Sequence, residues 1–240
     1  MRITRVLPTL LAALMAALTL SAFSSASAAE NRTAGGPERP IIGGSHAESG
    51  PWAARLFSGG RQTCSATIIA PTWILTARHC VSGGQLSFRI GSLDQTSGGT
   101  MANGTQVHTH SSSDLALVRL DRSVDATYSQ LGDPGSVQVG QSVQVYGWGA
   151  TARCNPEINC QSQFLKYANV TVTGGCRDAY QGQAICARRG DGITAGGDSG
   201  GPMMANGIQV GVASTSDRQT TTAYTNVTRY RSWIQSIAGV

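Results

Sequence analysis

From Ile41 onward the chain repeats one pattern, in which apolar runs of four to eight residues, many of them β-branched or alternating, stand between turn signals rich in glycine, proline, asparagine and serine. Ala66–Ala70, Trp73–Ala77, Leu86–Ile90, Leu115–Leu120, Ser142–Tyr146, Leu165–Val172 and Ile208–Ala213 are such runs, punctuated by Ser-Gly-Gly, Asp-Pro-Gly and Ala-Asn-Gly. Runs this short bury their apolar face only by pairing with one another, so the pattern predicts an all-β barrel or sandwich. A 3.6-residue period appears only at the end, where Trp233, Ile234, Ile237 and Val240 predict a C-terminal helix over about 229–240. There is no internal repeat, and the segment from Asp121 to Gly140 is the best candidate for a crossover between two halves.

Composition narrows the function classes. With 240 residues, 40% hydrophobic and 13% charged, the chain can bury a core and is not disordered. Its 30 glycines follow no triplet period, which excludes collagen. The only long apolar run lies at the start, which excludes a polytopic membrane protein. The net charge of +5 and the pI of about 9.1 raise the possibility of a polyanionic partner, but the 17 arginines form no dense run, so no nucleic-acid partner is expected. Seventeen arginines against the single Lys166 point to a GC-rich genome.

Arg2 and Arg5, an apolar stretch from Val6 to Leu20 and small residues from Ser21 to Ala29 make residues 1–29 a secretion signal, with cleavage after Ala28 or Ala29. A retained anchor is the alternative, but the run Leu10–Leu20 is short of the roughly 20 residues a spanning helix needs. Residues 30–40 are polar, contain Gly35, Gly36 and Pro37, and suit a pro-segment. Removing residues 1–40 takes away four arginines and two glutamates and lowers the charge from +5 to +3. Export to an oxidising space makes disulfides of Cys64, Cys80, Cys154, Cys160, Cys176 and Cys186, with the pairing open by counting alone.

Three strings carry chemistry together. Trp73-Ile74-Leu75-Thr76-Ala77-Arg78-His79-Cys80 puts a histidine at the end of an apolar strand, and Asp114-Leu115-Ala116-Leu117-Val118-Arg119-Leu120 puts a carboxylate at the start of another. Gly196-Gly197-Asp198-Ser199-Gly200-Gly201-Pro202 places a serine in a loop with enough glycine to turn sharply. A serine hydroxyl is a poor nucleophile at neutral pH; it needs a base within hydrogen-bond reach and a third group to hold that base in the right tautomer. Histidine suits the base role, and glycines around a serine let backbone N–H groups converge on an oxyanion.

With all three strings in this order, the chain resembles the chymotrypsin-like serine proteases, specifically their secreted bacterial members, over nearly all of residues 41–240. The triad of chymotrypsin is the general template for this mechanism. The resemblance implies two packed six-stranded antiparallel β-barrels, one over about 41–125 and one over about 140–228, followed by the C-terminal helix. It implies His79 as general base, Asp114 as its orienting partner, Ser199 as nucleophile, and the N–H groups of Gly197 and Ser199 as oxyanion hole. Gly147-Trp148-Gly149, Pro51-Trp52 and Ser214 agree with it. It also implies the disulfides Cys64–Cys80 and Cys176–Cys186, which leaves Cys154 and Cys160 to each other. Ile41-Ile42-Gly43-Gly44 is similar to the family's mature start, whose freed ammonium pairs with the aspartate before the nucleophile, here Asp198. The maturation bond is then Pro40–Ile41, or the bond after Arg39 followed by trimming.

Specificity in the family depends on the position six before the nucleophile, here Ile193, so cleavage after Arg or Lys is not expected, and Asp191 lies two positions off. Ser214 lies beside the substrate site, and Ser216 and Thr222 fall where wide-pocket members carry glycine. Together these predict cleavage after small or medium apolar residues, with a graded preference. Two residues depart from the family pattern. Arg78 precedes the catalytic histidine and is expected to point to solvent, and Thr215 replaces a tryptophan after Ser214. The spacing of His108 and His110 fits a polar strand face better than a metal site, and Arg189-Gly190-Asp191 falls within the pocket-forming loop. The chain is thus expected to be a secreted, extracellular, monomeric serine endopeptidase of protein or peptide substrates, subject to proteinaceous inhibitors, without cofactor, metal or stable membrane association. The alternatives are a catalytically impaired homologue acting as a binding module and an esterase using the same triad.

Overall fold

The computed structural model describes residues 41–240; the segments expected to be a signal and a pro-segment, 1–29 and 30–40, lie outside the described residues. Fifteen strands dominate: β1 (Ile42–Gly43), β2 (Ser45–His46), β3 (Ala53–Ser58), β4 (Arg61–Ala70), β5 (Trp73–Thr76), β6 (Leu86–Ile90), β7 (Thr100–Thr109), β8 (Ala116–Leu120), β9 (Ser142–Gly147), β10 (Lys166–Arg177), β11 (Gln183–Arg189), β12 (Gly192–Ile193), β13 (Pro202–Ala205), β14 (Ile208–Ser216) and β15 (Thr221–Asn226). The first barrel closes in the order β3-β4-β5-β8-β7-β6. In the second the order is β11-β15-β14-β13-β9-β10, and it closes because β10 pairs with both β9 and β11. All strand pairings in both barrels are antiparallel.

The strands form where alternating residues can face a barrel interior. On β6, Leu86, Phe88 and Ile90 are buried while Ser87 and Arg89 are half-buried. They meet Leu56, Ile68, Ile74, Leu75, Leu117 and Val118 in one core cluster. Val143, Val145, Val170, Met203, Val210 and Tyr224 fill the second barrel. Fully burying one such side chain contributes about 1.5–3 kcal/mol before chain entropy is counted. The helix α1 (Arg231–Ala238) follows β15 and lays Ile234 on the first barrel's cluster; it ends at Gly239, whose φ of 77° and N–H to Gln235 O (3.0 Å) make a left-handed cap.

The opening residues differ from the sequence expectation. Residues 41–46, expected in the first barrel, pair outside it: β1 forms a separate two-stranded sheet with β12, Ile42 opposite Ile193 and Gly43 opposite Gly192, and β2 pairs with β10 of the second barrel. The Ile41 side chain is fully buried among the second barrel's core residues. A Cβ on Gly43 would lie 2.3 Å from Asp191 O, so the chain can run this close to the Arg189–Asp191 loop only with glycine there.

Candidate active site

The end of β5 leads through a short helical turn, Arg78–Cys80, that presents His79, and the Cys64–Cys80 disulfide ties this turn back to β4. The loop before β8 brings Asp114, completely buried, against it. His79 Nδ1 lies 2.7 Å from Asp114 Oδ2, and the His79 backbone N–H donates to Oδ1 (3.0 Å). Ser214 Oγ donates to the same Oδ2 (2.7 Å). A carboxylate only accepts, so the histidine proton sits on Nδ1 and Nε2 is left as the base. Burial works to raise the Asp114 carboxyl, but the hydrogen bonds and charge of His79 with the Ser214 hydroxyl outweigh it, and the group lies below the usual carboxylate range. Asp114 N–H in turn donates to the buried Asp178 Oδ2 (2.9 Å), a support that no string in the sequence marks.

Ser199 belongs to the loop between β12 and β13. Gly200 follows it at φ 80°, and a Cβ there would lie 2.1 Å from Thr76 Oγ1, so only glycine lets the loop press against β5. Five backbone N–H groups of this loop are engaged: Ala195 donates to Asp198 Oδ2 (2.9 Å), Gly196 to Glu157 Oε2 (2.9 Å), Asp198 to Ala195 O (3.1 Å), Gly200 to Ala213 O (2.9 Å) and Gly201 to Asp198 O (2.8 Å). Among the described residues the N–H groups of Gly197 and Ser199 donate to no acceptor, and Ser199 Oγ makes no hydrogen bond. His79 and Ser199 line one cavity of about 420 Å³.

The walls of that cavity include Thr194, Ala195, Ala213, Ser214, Thr215, Ser216 and Arg218. Ser214 and Ser216 thus line the cavity, and the Ser214 hydroxyl is committed to Asp114. Ile193 and Thr222 do not line the cavity. Ile193 is fully buried and paired with Ile42, while Thr222 stands behind the wall with its Oγ1 2.8 Å from Thr194 Oγ1. Asp191 is exposed and accepts from Asn169 N (2.7 Å) and Nδ2 (2.6 Å), away from the cavity. Arg218 reaches the wall with its charge paired, donating from Nε and Nη2 to Glu157 at 2.6 and 3.0 Å.

Asp198 is completely buried and accepts from Gly149 N (2.7 Å) and Ala195 N (2.9 Å). Burial pushes its carboxyl up to about 6, against those two N–H bonds and the nearby Arg55. Arg78 departs from the expectation that it points to solvent: its guanidinium carbon lies 4.3 Å from the centre of the Tyr180 ring, and Nη1 donates to His110 O and Ser111 O, both at 3.0 Å. The carbonyls of the turn before Asp114 offer it acceptors, so it braces that turn. The His110 ring packs edge-on against Tyr230 and Trp233, and the His108 ring lies against Trp73, so both are aromatic contacts in the structure. Cys64, Cys80 and His79 lie together, but both cysteines are spent in a disulfide and cannot ligate a metal as thiolates. The other two disulfides are Cys154–Cys160 and Cys176–Cys186.

Comparison with known proteins agrees with this geometry. Residues 41–234 match the family model described as Trypsin. Human kallikrein-8 is 31% identical over 237 residues, covering 84% of this chain and 88% of the relative. The thrombin-like enzyme leucurobin of Bothrops leucurus is 31% identical over 233 residues, covering 82% and 96%. Trypsin alpha of Drosophila melanogaster is 30% identical over 231 residues, covering 82% and 87%. Among solved structures, human heparin binding protein superposes with a TM-score of 0.70 at 25% identity, covering 82% of this chain and 96% of that one. These relatives are animal proteins, so they bear on the family and not on a bacterial source. With a family match over most of its length, relatives at this identity and two barrels that bring a His–Asp pair and the Ser199 loop to one cavity, the chain belongs to the trypsin family of serine endopeptidases.

Proposed function

We propose that Ser199 is the acylating nucleophile, His79 its general base and acid, Asp114 the group that fixes the imidazole, and the N–H groups of Gly197 and Ser199 the oxyanion hole. The observation that carries this reading is a clamped His79–Asp114 unit whose His79 shares one cavity with Ser199, in a loop where the N–H groups of Gly197 and Ser199 are unengaged. Ser199 Oγ attacks the scissile carbonyl while its proton passes to His79 Nε2. The carbonyl π electrons move onto oxygen, which the two N–H groups receive. His79 then protonates the leaving amine, and water hydrolyses the acyl-enzyme by the same steps. The preferred substrate carries a small or medium apolar residue before the scissile bond. Short side chains on the cavity wall support this, and no carboxylate among the described lining residues meets a basic substrate.

Maturation frees the ammonium of Ile41, which pairs with Asp198; the family match begins at Ile41, and the raised Asp198 carboxyl marks a buried anion short of a counter-charge. The enzyme is exported and acts outside the cell as a monomer, and its arginine-rich, lysine-poor composition supports a bacterial source. A fluorophosphonate should label the processed protein at Ser199 and fail to label Ser199→Ala, with casein hydrolysis following the label. N-terminal sequencing should read Ile-Ile-Gly-Gly. A processed form that neither labels nor hydrolyses casein would overturn the catalytic reading, and a peptide-library profile dominated by Arg and Lys would overturn the specificity.

A further inference from the structure

On β3 a charged side chain stands where the strand calls for an apolar one. Arg55, between Ala54 and Leu56, is 0% exposed, and its guanidinium carbon lies 6.0 Å from the centre of the Trp148 ring. A guanidinium can be buried only where its N–H groups find acceptors. Two of the acceptors here lie in the second half of the chain. Nη1 donates to Gly197 O (3.1 Å) as well as to Cys64 O (3.2 Å), Nε donates to Gln95 Oε1 (2.9 Å), and Nη2 donates to Gln161 Oε1. Burial pushes the guanidinium down to about 9, with the Asp198 charge working upward, so it remains a cation at neutral pH.

Both carbonyls that frame Gly197 are held by this arrangement. Gly197 O accepts from Arg55 and from Ser65 Oγ (2.9 Å). Gly196 O accepts from Ala150 N (2.8 Å) and, at 3.4 Å, from Nε2 of the same Gln161 that Arg55 grips by its other amide atom. A peptide unit is planar and trans, so fixing Gly196 O fixes the direction of the Gly197 N–H on the opposite side of that plane. Gly197 itself sits at φ 103°, where no Cβ limits its rotation, so the loop needs external anchors to keep one conformation.

We infer that Arg55 is a positioning residue for the oxyanion hole, acting directly on Gly197 O and through Gln161 on Gly196 O to aim the Gly197 N–H; this rests on the roles proposed above for Gly197 and Ser199. A lysine keeps the charge but not the planar fork that reaches Gly197 O and Gln161 together. Deleting a whole oxyanion donor costs roughly 10²–10³ in kcat, and a misaimed donor should cost less, on the order of tenfold to a hundredfold. The donor acts on the transition state alone, so KM should not move.

The test compares wild type with Arg55→Lys, Arg55→Met, Gln161→Leu and Gln161→Glu in the processed protein. It measures kcat and KM on a chromogenic peptide anilide, affinity for a peptidyl boronate that forms a tetrahedral adduct, affinity for the product peptide, and Tm. The expected result is a parallel fall of about tenfold or more in kcat and boronate affinity in all four variants, with KM and product affinity unchanged. Gln161→Glu is informative because it keeps an acceptor for Arg55 but has no donor for Gly196 O. Variants with kcat within twofold of wild type, or with equal losses of boronate and product affinity, would overturn the inference. Should the Arg55 variants fail to fold, the Gln161 variants decide alone, since that side chain is only half-buried. Wild-type protein that does not label with fluorophosphonate would instead sink the catalytic reading, whereas labelled wild type with unaffected variants sinks only the role of Arg55.

Discussion

At Asp114 the geometry of single residues decides the chemistry. One carboxylate oxygen takes both the His79 ring and the Ser214 hydroxyl, so the imidazole plane and the carboxylate plane are fixed against each other. Ser214→Ala should remove one of the bonds that hold the carboxyl down and leave His79 less firmly aimed. A lost hydrogen bond to a charged group is worth about 1.5–3 kcal/mol, so kcat/KM should fall by at least about tenfold on a peptide anilide, with substrate ranking unchanged. Thr222 gives a contrasting case, because its hydroxyl pairs with Thr194 behind the cavity wall and donates to Thr215 O (3.0 Å). Thr222→Gly should let the wall recede and shift preference toward larger apolar residues, by about 1–3 kcal/mol per methylene admitted; a library profile unchanged from wild type would count against it. His79, Asp114 and Ser199, the residues proposed above as the triad, could be singled out because each stands in a local string whose chemistry is self-explanatory. Arg55, Glu157, Gln161 and Arg218 could not, because the contacts that tie them to one another and to the serine loop span 35 to 142 positions and each reads alone as an ordinary polar residue.

At the scale of elements, legibility followed apolar patterning. Leu86–Ile90 is read from the sequence with the bounds the structure gives, since its alternation matches a barrel wall. Thr100–Thr109 escapes notice because it exposes most of its residues, Met101 and Val107 included, and so has no apolar period. The pairing of residues 41–46 with β12 and β10 is invisible for a different reason, since register against a strand more than a hundred residues away leaves no local trace. Disulfides act at this scale too. Cys64–Cys80 closes a segment with a sequence separation of 16 and fixes the turn bearing His79. On a chain-entropy model its loss costs about 3 kcal/mol. Cys64→Ser with Cys80→Ser should therefore lower Tm by on the order of 10 °C and lower kcat further than the fraction unfolded explains, which calorimetry and active-site titration together would show. Cys154–Cys160 brackets Glu157, which holds Gly196 N, and sits beside Gln161. Replacing that pair by serine should cost less stability, about 2 kcal/mol, yet reduce kcat through the same loop.

For the whole molecule, the two barrels are joined electrostatically at Asp198. In the chain as described, burial lifts its carboxyl from 3.8 to about 6, with Arg55 and two backbone N–H groups pulling down and Glu157 pushing up. A folded-state pKa above the unfolded value means that the folded chain holds the proton more tightly. The stability this proton contributes is complete below about pH 4 and is lost as pH rises through about 6. The whole shift corresponds to about 3 kcal/mol. An ammonium delivered by cleavage before Ile41 would supply the missing counter-charge, pull the carboxyl down and cancel that loss. Denaturant titrations of the unprocessed chain should therefore show stability declining between pH 4 and 6 and level above it, while the processed chain shows no such decline. Asp198→Asn in the unprocessed chain should flatten the curve, because an amide carries no charge to bury. Identical pH curves for the two forms would mean that the Ile41 ammonium does not reach Asp198, and activation would have to operate through some other contact of the serine loop.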